Sequence, residues 1–226
     1  MLSTPILLDY QSSTPCSKDV VDSMKPFWSE IFSNPSNKSN LAGINASAIL
    51  EASREKIEQN LFLKNKKVIF TSGATESNNL ALLGFARNYY KKTGNYGHII
   101  TLKTEHKAVL EPLHQLKKEG FMVTEITPER DGIISEEQFR KNIREDTFLV
   151  SVMMANNEIG VIQPIENISK ICKLRGITFH SDFAQCLGYV ELENLLSVVN
   201  MITMSSHKIY GPKGIGLLLI DQDITL

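Results

Sequence analysis

Two hydrophobic rhythms alternate along the chain. Short runs dense in apolar and β-branched residues read as strands: "KVIFT" (67–71), "HIITL" (98–102), "FMVTEI" (121–126), "TFLVSVMMA" (147–155), "ITFHSD" (177–182), "VNMITM" (199–204) and "GIGLLLI" (214–220). Segments with apolar residues spaced among charges separate most of them. These predict helices at 17–32, 45–62, 76–92 and 106–120, then at 135–145, with an acidic first turn, and at 165–176. Gly120 and Gly176 close two of them. Strands apolar throughout and divided by helices predict an α/β fold: a mainly parallel sheet of seven-stranded type, covered by helices on both faces. We expect residues 1–15 to form an N-terminal segment and 16–226 one large domain. The Ser-, Asn- and Pro-rich stretch 32–43 reads as a loop.

Composition narrows the function classes. The chain has 226 residues, 42% of them hydrophobic, and a formal net charge of -1. That balance gives no electrostatic reason to expect nucleic acid or an anionic membrane surface as partner. No apolar run approaches the roughly 18 residues of a membrane span. The N-terminus lacks the basic and apolar regions of a signal peptide and the arginines of a transit peptide. Cys16, Cys172 and Cys186 form no paired motif, so neither a disulfide framework nor a metal site is indicated, and a reducing cytosol or organelle matrix is expected.

In parallel sheets ligands bind beyond the carboxyl ends of the strands. Ser72-Gly73-Ala74-Thr75-Glu76 follows the first strand and reads as a helix cap or a phosphate turn. His106 follows the second, as a solvent-facing helix start, a ring-stacking residue or a proton shuttle. Asn156 and Asn157 follow the fourth, as turn formers or amide donors. Asp182 ends the fifth, with Gln185 three residues on; it suits an N-cap or the partner of a protonated ring nitrogen. Ser205, Ser206, His207 and Lys208 follow the sixth. There Lys208 is either a solvated lysine or a Schiff-base residue, beside Ser205 and His207 as phosphate ligands. Each plain reading stands by itself. Together the five strand ends supply what pyridoxal 5'-phosphate requires: a phosphate turn, a stacking ring, an amide donor, an acid and a lysine.

"TSGATESNN", "TEHKAVL", "NNEIGV" and "SSHKIYGPKG", in this order, resemble the cysteine desulfurases of the iron–sulfur-cluster and nitrogen-fixation type, within the class V aminotransferases of fold type I. "LLDYQSSTP" and "NPSNKSNLAG" resemble the same family's opening and its Asn-Pro-Ser loop. The resemblance implies that Lys208 carries pyridoxal phosphate. His106 would stack on the ring, Asp182 would pair with its nitrogen, and Asn157 and Gln185 would bond its O3′ side. Ala74, Thr75, Ser205 and His207 would hold the phosphate. The implied reaction takes L-cysteine to L-alanine, with the sulfur passing through an enzyme cysteine to an iron–sulfur scaffold or other acceptor protein. A homodimer is the implied assembly. A related lyase or aminotransferase with another amino-acid substrate, and a catalytically silent remnant, are the alternative readings.

Three positions depart from the family pattern: Phe183 and Ser206, where small residues are usual, and Asn40, where histidine is usual. A bulky Phe183 beside the acid is expected to alter local packing, and Ser206 to resist a glycine conformation. The family's chains run to nearly twice this length. The resemblance therefore implies that the small C-terminal domain, the nucleophilic cysteine loop, the substrate-carboxylate arginine and the Gly-Thr segment that reaches a partner's phosphate are not in this chain. Cys16 and Cys172 are expected to be buried, inert thiols, while Cys186 is left open.

Overall fold

The computed structural model describes residues 5–192 and 194–226. Seven strands form one sheet in the order β1-β7-β6-β5-β4-β2-β3. They are β1 (Lys66–Thr71), β2 (His98–Leu102), β3 (Met122–Ile126), β4 (Thr147–Ser151), β5 (Thr178–Asp182), β6 (Met201–Ser205) and β7 (Gly216–Asp221). Strands β3, β2, β4, β5 and β6 pair in parallel, while β7 runs antiparallel between β6 and β1. The mainly parallel α/β sheet read from the sequence is therefore present, with one reversed strand that the apolar pattern does not reveal.

Period-2 alternation divides the strand side chains between two cores. On one face Ile100, Val150, Phe179, Ile202 and Leu219 pack with residues of α7 (Glu136–Asn142) and α8 (Ile165–Arg175). On the other face Ile99, Leu149, Met201 and Leu218 meet Leu82, Ala86, Val109, Leu113 and Leu116. These last come from the helical run after β1 and from α6. The run comprises α4 (Ala74–Asn79), a π-helical turn (Leu80–Gly84) and α5 (Phe85–Thr93); α6 is Lys107–Glu119. Gly94, Gly120 and Gly176 end α5, α6 and α8 in the left-handed conformation.

Several boundaries moved. The helix expected at 17–32 divides into α1 (Lys18–Met24) and α2 (Pro26–Ser29), because Pro26 cannot donate to the preceding turn and starts a new helix instead. The helix expected at 45–62 begins earlier, as α3 (Leu41–Asn60), because Asn40 caps it by accepting from the Gly43 N–H at 2.8 Å. That capping is the structural use of one departure from the family pattern. The strand expected at 147–155 stops at Ser151. A short helix, α9 (Leu195–Val198), precedes β6. No helix among the described residues is long and apolar enough to cross a membrane.

Candidate active site

At the carboxyl edge of the sheet lies a cleft of about 520 Å³. Eight of the residues singled out from the sequence line it: Ala74, Thr75, His106, Asn157, Asp182, Gln185, His207 and Lys208. They come from the ends of β1, β2, β4, β5 and β6; parallel pairing brings the last four to a common edge, and β1 ends there too because β7 runs antiparallel to both β6 and β1. Ser205 is the exception. It closes β6 just behind the lining, buried, with its hydroxyl lacking any hydrogen-bond partner among the described residues.

The turn after β1 is shaped to approach an anion. Gly73 has φ 154°, a conformation that glycine alone adopts readily, and an added Cβ would meet no atom within 4 Å. The start of α4 leaves the N–H groups of Ala74, Thr75 and Glu76 without helical acceptors. Glu76 folds back, its Oε2 accepting from both the N–H and hydroxyl of Ser72 at 2.6 Å, and these bonds hold its carboxyl below the usual range. Gly216 makes room for the turn: a Cβ there would stand 2.6 Å from Gly73.

Asp182 forms the buried floor. Its Oδ2 accepts from Asn78 Nδ2 at 2.7 Å and its Oδ1 from the Ala184 N–H at 2.8 Å. Burial pushes its carboxyl up; the bonds from Asn78 and Ala184 and the charges of His106 and Lys208 oppose that push. Asn78 was not among the residues singled out. The available signal was the Asn78-Asn79 pair inside a helix, where asparagine is a poor helix former unless its amide has work to do.

His106 is both cap and lining. Its Nδ1 accepts from the Ala108 N–H at 3.0 Å at the start of α6. That bond leaves the ring's remaining hydrogen on Nε2. The two asparagines divide the two roles open to them. Asn156 is the turn former: its Oδ1 accepts from the N–H groups of Glu158 and Ile159, at 2.8 and 3.0 Å. Asn157 lines the cleft.

Lys208 ends a 3-10 turn (Ser206–Lys208). Its Nζ donates to the carbonyls of Gln11 at 2.7 Å and Ser12 at 2.9 Å, and Gln185 Nε2 also donates to Gln11 O. Partial burial lowers the Lys208 amine, against the raising effect of Asp182 and then Asp9. The His207 imidazole is likewise lowered, first by burial and then by Lys208 and Lys213. Thr14 fastens the N-terminal segment to this turn: its N–H and hydroxyl donate to His207 O, and its Oγ1 accepts from the Tyr210 N–H. Tyr210, at φ 61°, holds the left-handed conformation usually left to glycine.

The structure places the two other departures. Phe183 is fully buried in the core, away from the cleft, so its bulk serves packing. Ser206 has a negative φ and donates its hydroxyl to Pro212 O and Ile215 O. The glycine requirement passes to Gly211, where a Cβ would lie 2.8 Å from Ser206 Cβ. The cysteines need one correction. Cys172 is buried as expected, but Cys16 is half-buried, beside Val21, Met24 and Trp28 in a separate groove. Cys186 is buried in the core, and burial pushes both Cys172 and Cys186 up to about 12.

A strand-end lysine facing a buried carboxylate, a ring and an anion-binding turn defines a cleft for an anionic aromatic aldehyde cofactor. The comparisons narrow that class. Residues 6–225 match the family model for aminotransferase class-V, and the chain belongs to that family. It is 47% identical over 219 residues to the cysteine desulfurase IscS of Ehrlichia chaffeensis, covering 97% of this chain and 52% of that protein. The chain thus spans about half the length of the curated relatives it matches. Among solved structures, a NifS-like protein superimposes with TM-score 0.90 at 35% identity, over 99% of this chain and 60% of that one. A structure described as SspA in complex with cysteine matches with TM-score 0.86 at 38% identity, over 96% and 61%.

Pyridoxal 5'-phosphate is the cofactor of this family. The residues present fit it. The unpartnered Ser205 hydroxyl and the open space at Gly73 suit a phosphate, and the buried carboxyl of Asp182 suits a ring nitrogen.

Proposed function

We propose that this chain is the cofactor-binding portion of a pyridoxal-phosphate-dependent cysteine desulfurase. The observation that carries the reading is the convergence of Lys208, Asp182 and His106 on one cleft. Ala74 and Thr75, with Ser205 and His207, hold the phosphate. Asp182 holds a proton on the ring nitrogen, His106 lies against the ring, and Asn157 and Gln185 serve the O3′ side. Bound there, the cofactor supplies an electron sink for carbanion chemistry.

Lys208 anchors the cofactor and, once freed from it, is the base at the substrate Cα. Partial burial, which lowers its amine, favours that role. His106, with its free Nε2–H, moves protons above the cleft. L-Cysteine is the proposed substrate, from the names of the relatives and from the cysteine complex among the structural matches. None of the three cysteines lines the cleft. The thiol that accepts sulfur is proposed to lie in the part of the relatives' length that this chain does not span. A homodimer and an iron–sulfur scaffold or other acceptor protein complete the proposal, in a reducing cytosol or organelle matrix.

The test is to mix the chain with pyridoxal phosphate and record a visible absorbance that borohydride fixes covalently to Lys208. A band that persists in Lys208→Ala would sink the cofactor reading. Sulfide release from L-cysteine, measured with a cysteine-bearing C-terminal portion joined on, tests the substrate. Turnover of other amino acids in its place would point to a related lyase or aminotransferase.

A further inference from the structure

One buried acid beside the cleft has no part in the chemistry above. Glu105 lies between the end of β2 and His106 and is 6% exposed. Its Oε1 accepts from the Met153 N–H at 2.6 Å, and its Oε2 has no partner among the described residues.

The sheet explains its place. Thr101 and Ser151 are the last pair between β2 and β4, and β2 ends at Leu102. Beyond Ser151 the chain continues beside β5: the N–H groups of Val152 and Met154 donate to His180 O and Asp182 O, at 3.2 and 3.1 Å. Alternation then aims the Met153 N–H at the side that β2 has left. With no acceptor it would be a buried orphan donor. The Glu105 carboxyl supplies that acceptor. A second bond spans the same gap, from Asn156 Nδ2 to Thr104 O at 2.6 Å. Each strap sits next to a cleft residue: Glu105 precedes His106, and Asn156 precedes Asn157.

We propose that Glu105 is a positioning residue: its carboxyl takes the ladder slot that β2 vacates and so fixes where His106 and Asn157 stand in the cleft. The inference rests on the cofactor reading above and adds a residue to it. Burial pushes the Glu105 carboxyl well above its usual range, the bond from Met153 opposes this, and the charge of Asp182 adds to it. A carboxamide offers the same acceptor oxygen to the Met153 N–H, so glutamine is the conservative replacement.

The experiment compares wild type, Glu105→Ala and Glu105→Gln by three readouts: hydrogen exchange at the Met153 amide, pyridoxal phosphate affinity, and the visible band of the bound cofactor. In Glu105→Ala, Met153 exchange is expected to speed about tenfold, cofactor affinity to fall about tenfold, and the band to shift. Glu105→Gln is expected to restore all three. An alanine variant with wild-type band and affinity overturns the inference, as does a glutamine variant with the alanine phenotype. If the alanine chain does not fold, the glutamine chain decides alone: a wild-type band supports positioning and an altered one overturns it. A wild type with no band at all rejects the cofactor reading instead. In that case equal Met153 exchange in all chains that fold would overturn the role of Glu105 independently.

Discussion

Two histidines inside the sheet and two polar groups at its carboxyl edge, all buried, are treated in opposite ways. Within the sheet, His98 places its ring nitrogens 2.7 Å from Thr147 Oγ1 and 2.8 Å from Thr124 Oγ1. His180 is held in the same manner by Ser151 Oγ at 2.9 Å and Thr203 Oγ1 at 3.2 Å. Each ring bridges the two strands beside its own, and both nitrogens are satisfied. At the edge, Ser205 Oγ and Glu105 Oε2 are equally shut from water but have no partner among the described residues. Buried polar atoms are nearly always paired, so an unpaired one calls for an explanation. Here the two paired histidines hold strands together, whereas Ser205 and Glu105 stand beside the cleft.

The contrast can be broken by substitution. The largest effect is expected for Lys208→Ala, which should abolish the borohydride-fixable cofactor band while urea unfolding changes little. His180→Ala should do the reverse, costing about 3 kcal/mol in urea unfolding through a cavity and two unpaired hydroxyls. With a cysteine-bearing C-terminal portion joined on, Asp182→Asn should lower cofactor-dependent turnover on the order of a hundredfold, because the neutral amide no longer holds a proton on the ring nitrogen. Measured stability of that variant should stay close to wild type.

Acid should act on the sheet histidines. Burial lowers His180 to about 3 and lowers His98 as well. His180 stays neutral in the folded state across the mildly acid range, whereas in the unfolded chain it titrates near the ordinary 6.5. Its contribution is therefore complete above pH 6.5 and is lost as pH falls toward the folded value. His180 should add a slope approaching about 1.4 kcal/mol per pH unit over that window, and His98 a loss in the same direction. The buried acids work against this, since Glu105 and Asp182 are both raised and favour the folded state at low pH. Unfolding followed from pH 7 to 4 in wild type and His180→Gln should show the steeper loss in wild type. The smallest effect on stability is expected for Ser205→Ala, within about 0.5 kcal/mol, because no bond is broken. The same change should still weaken cofactor binding measurably. Unchanged affinity would remove Ser205 from the phosphate site.

Much of this was readable in one dimension. All seven strands were visible because each carries a short run of apolar and β-branched residues, and "HIITL" matched β2 to the residue. Eight site residues were legible because strand ends in such folds face one edge. Glu105, Asn78 and the carbonyls of Gln11 and Ser12 were missed as site elements. Their importance comes from contacts across 48, 104 and nearly 200 residues, which no local pattern carries. The β4 boundary failed for the same reason. "VMMA" is strand-like, but its β2 neighbour has ended, so a side chain replaces a ladder.

The sequence by itself determined the strands, most of the helices and the chemical types at each strand end, because periodicity, caps and turn residues act locally. Tertiary structure alone decided that β7 runs backward between β6 and β1, that Phe183 packs inward while Asn157 lines the cleft, and that Ser205 and Glu105 keep a free atom. Those outcomes depend on which groups meet after the chain has closed on itself, and on whether a donor buried there finds its acceptor.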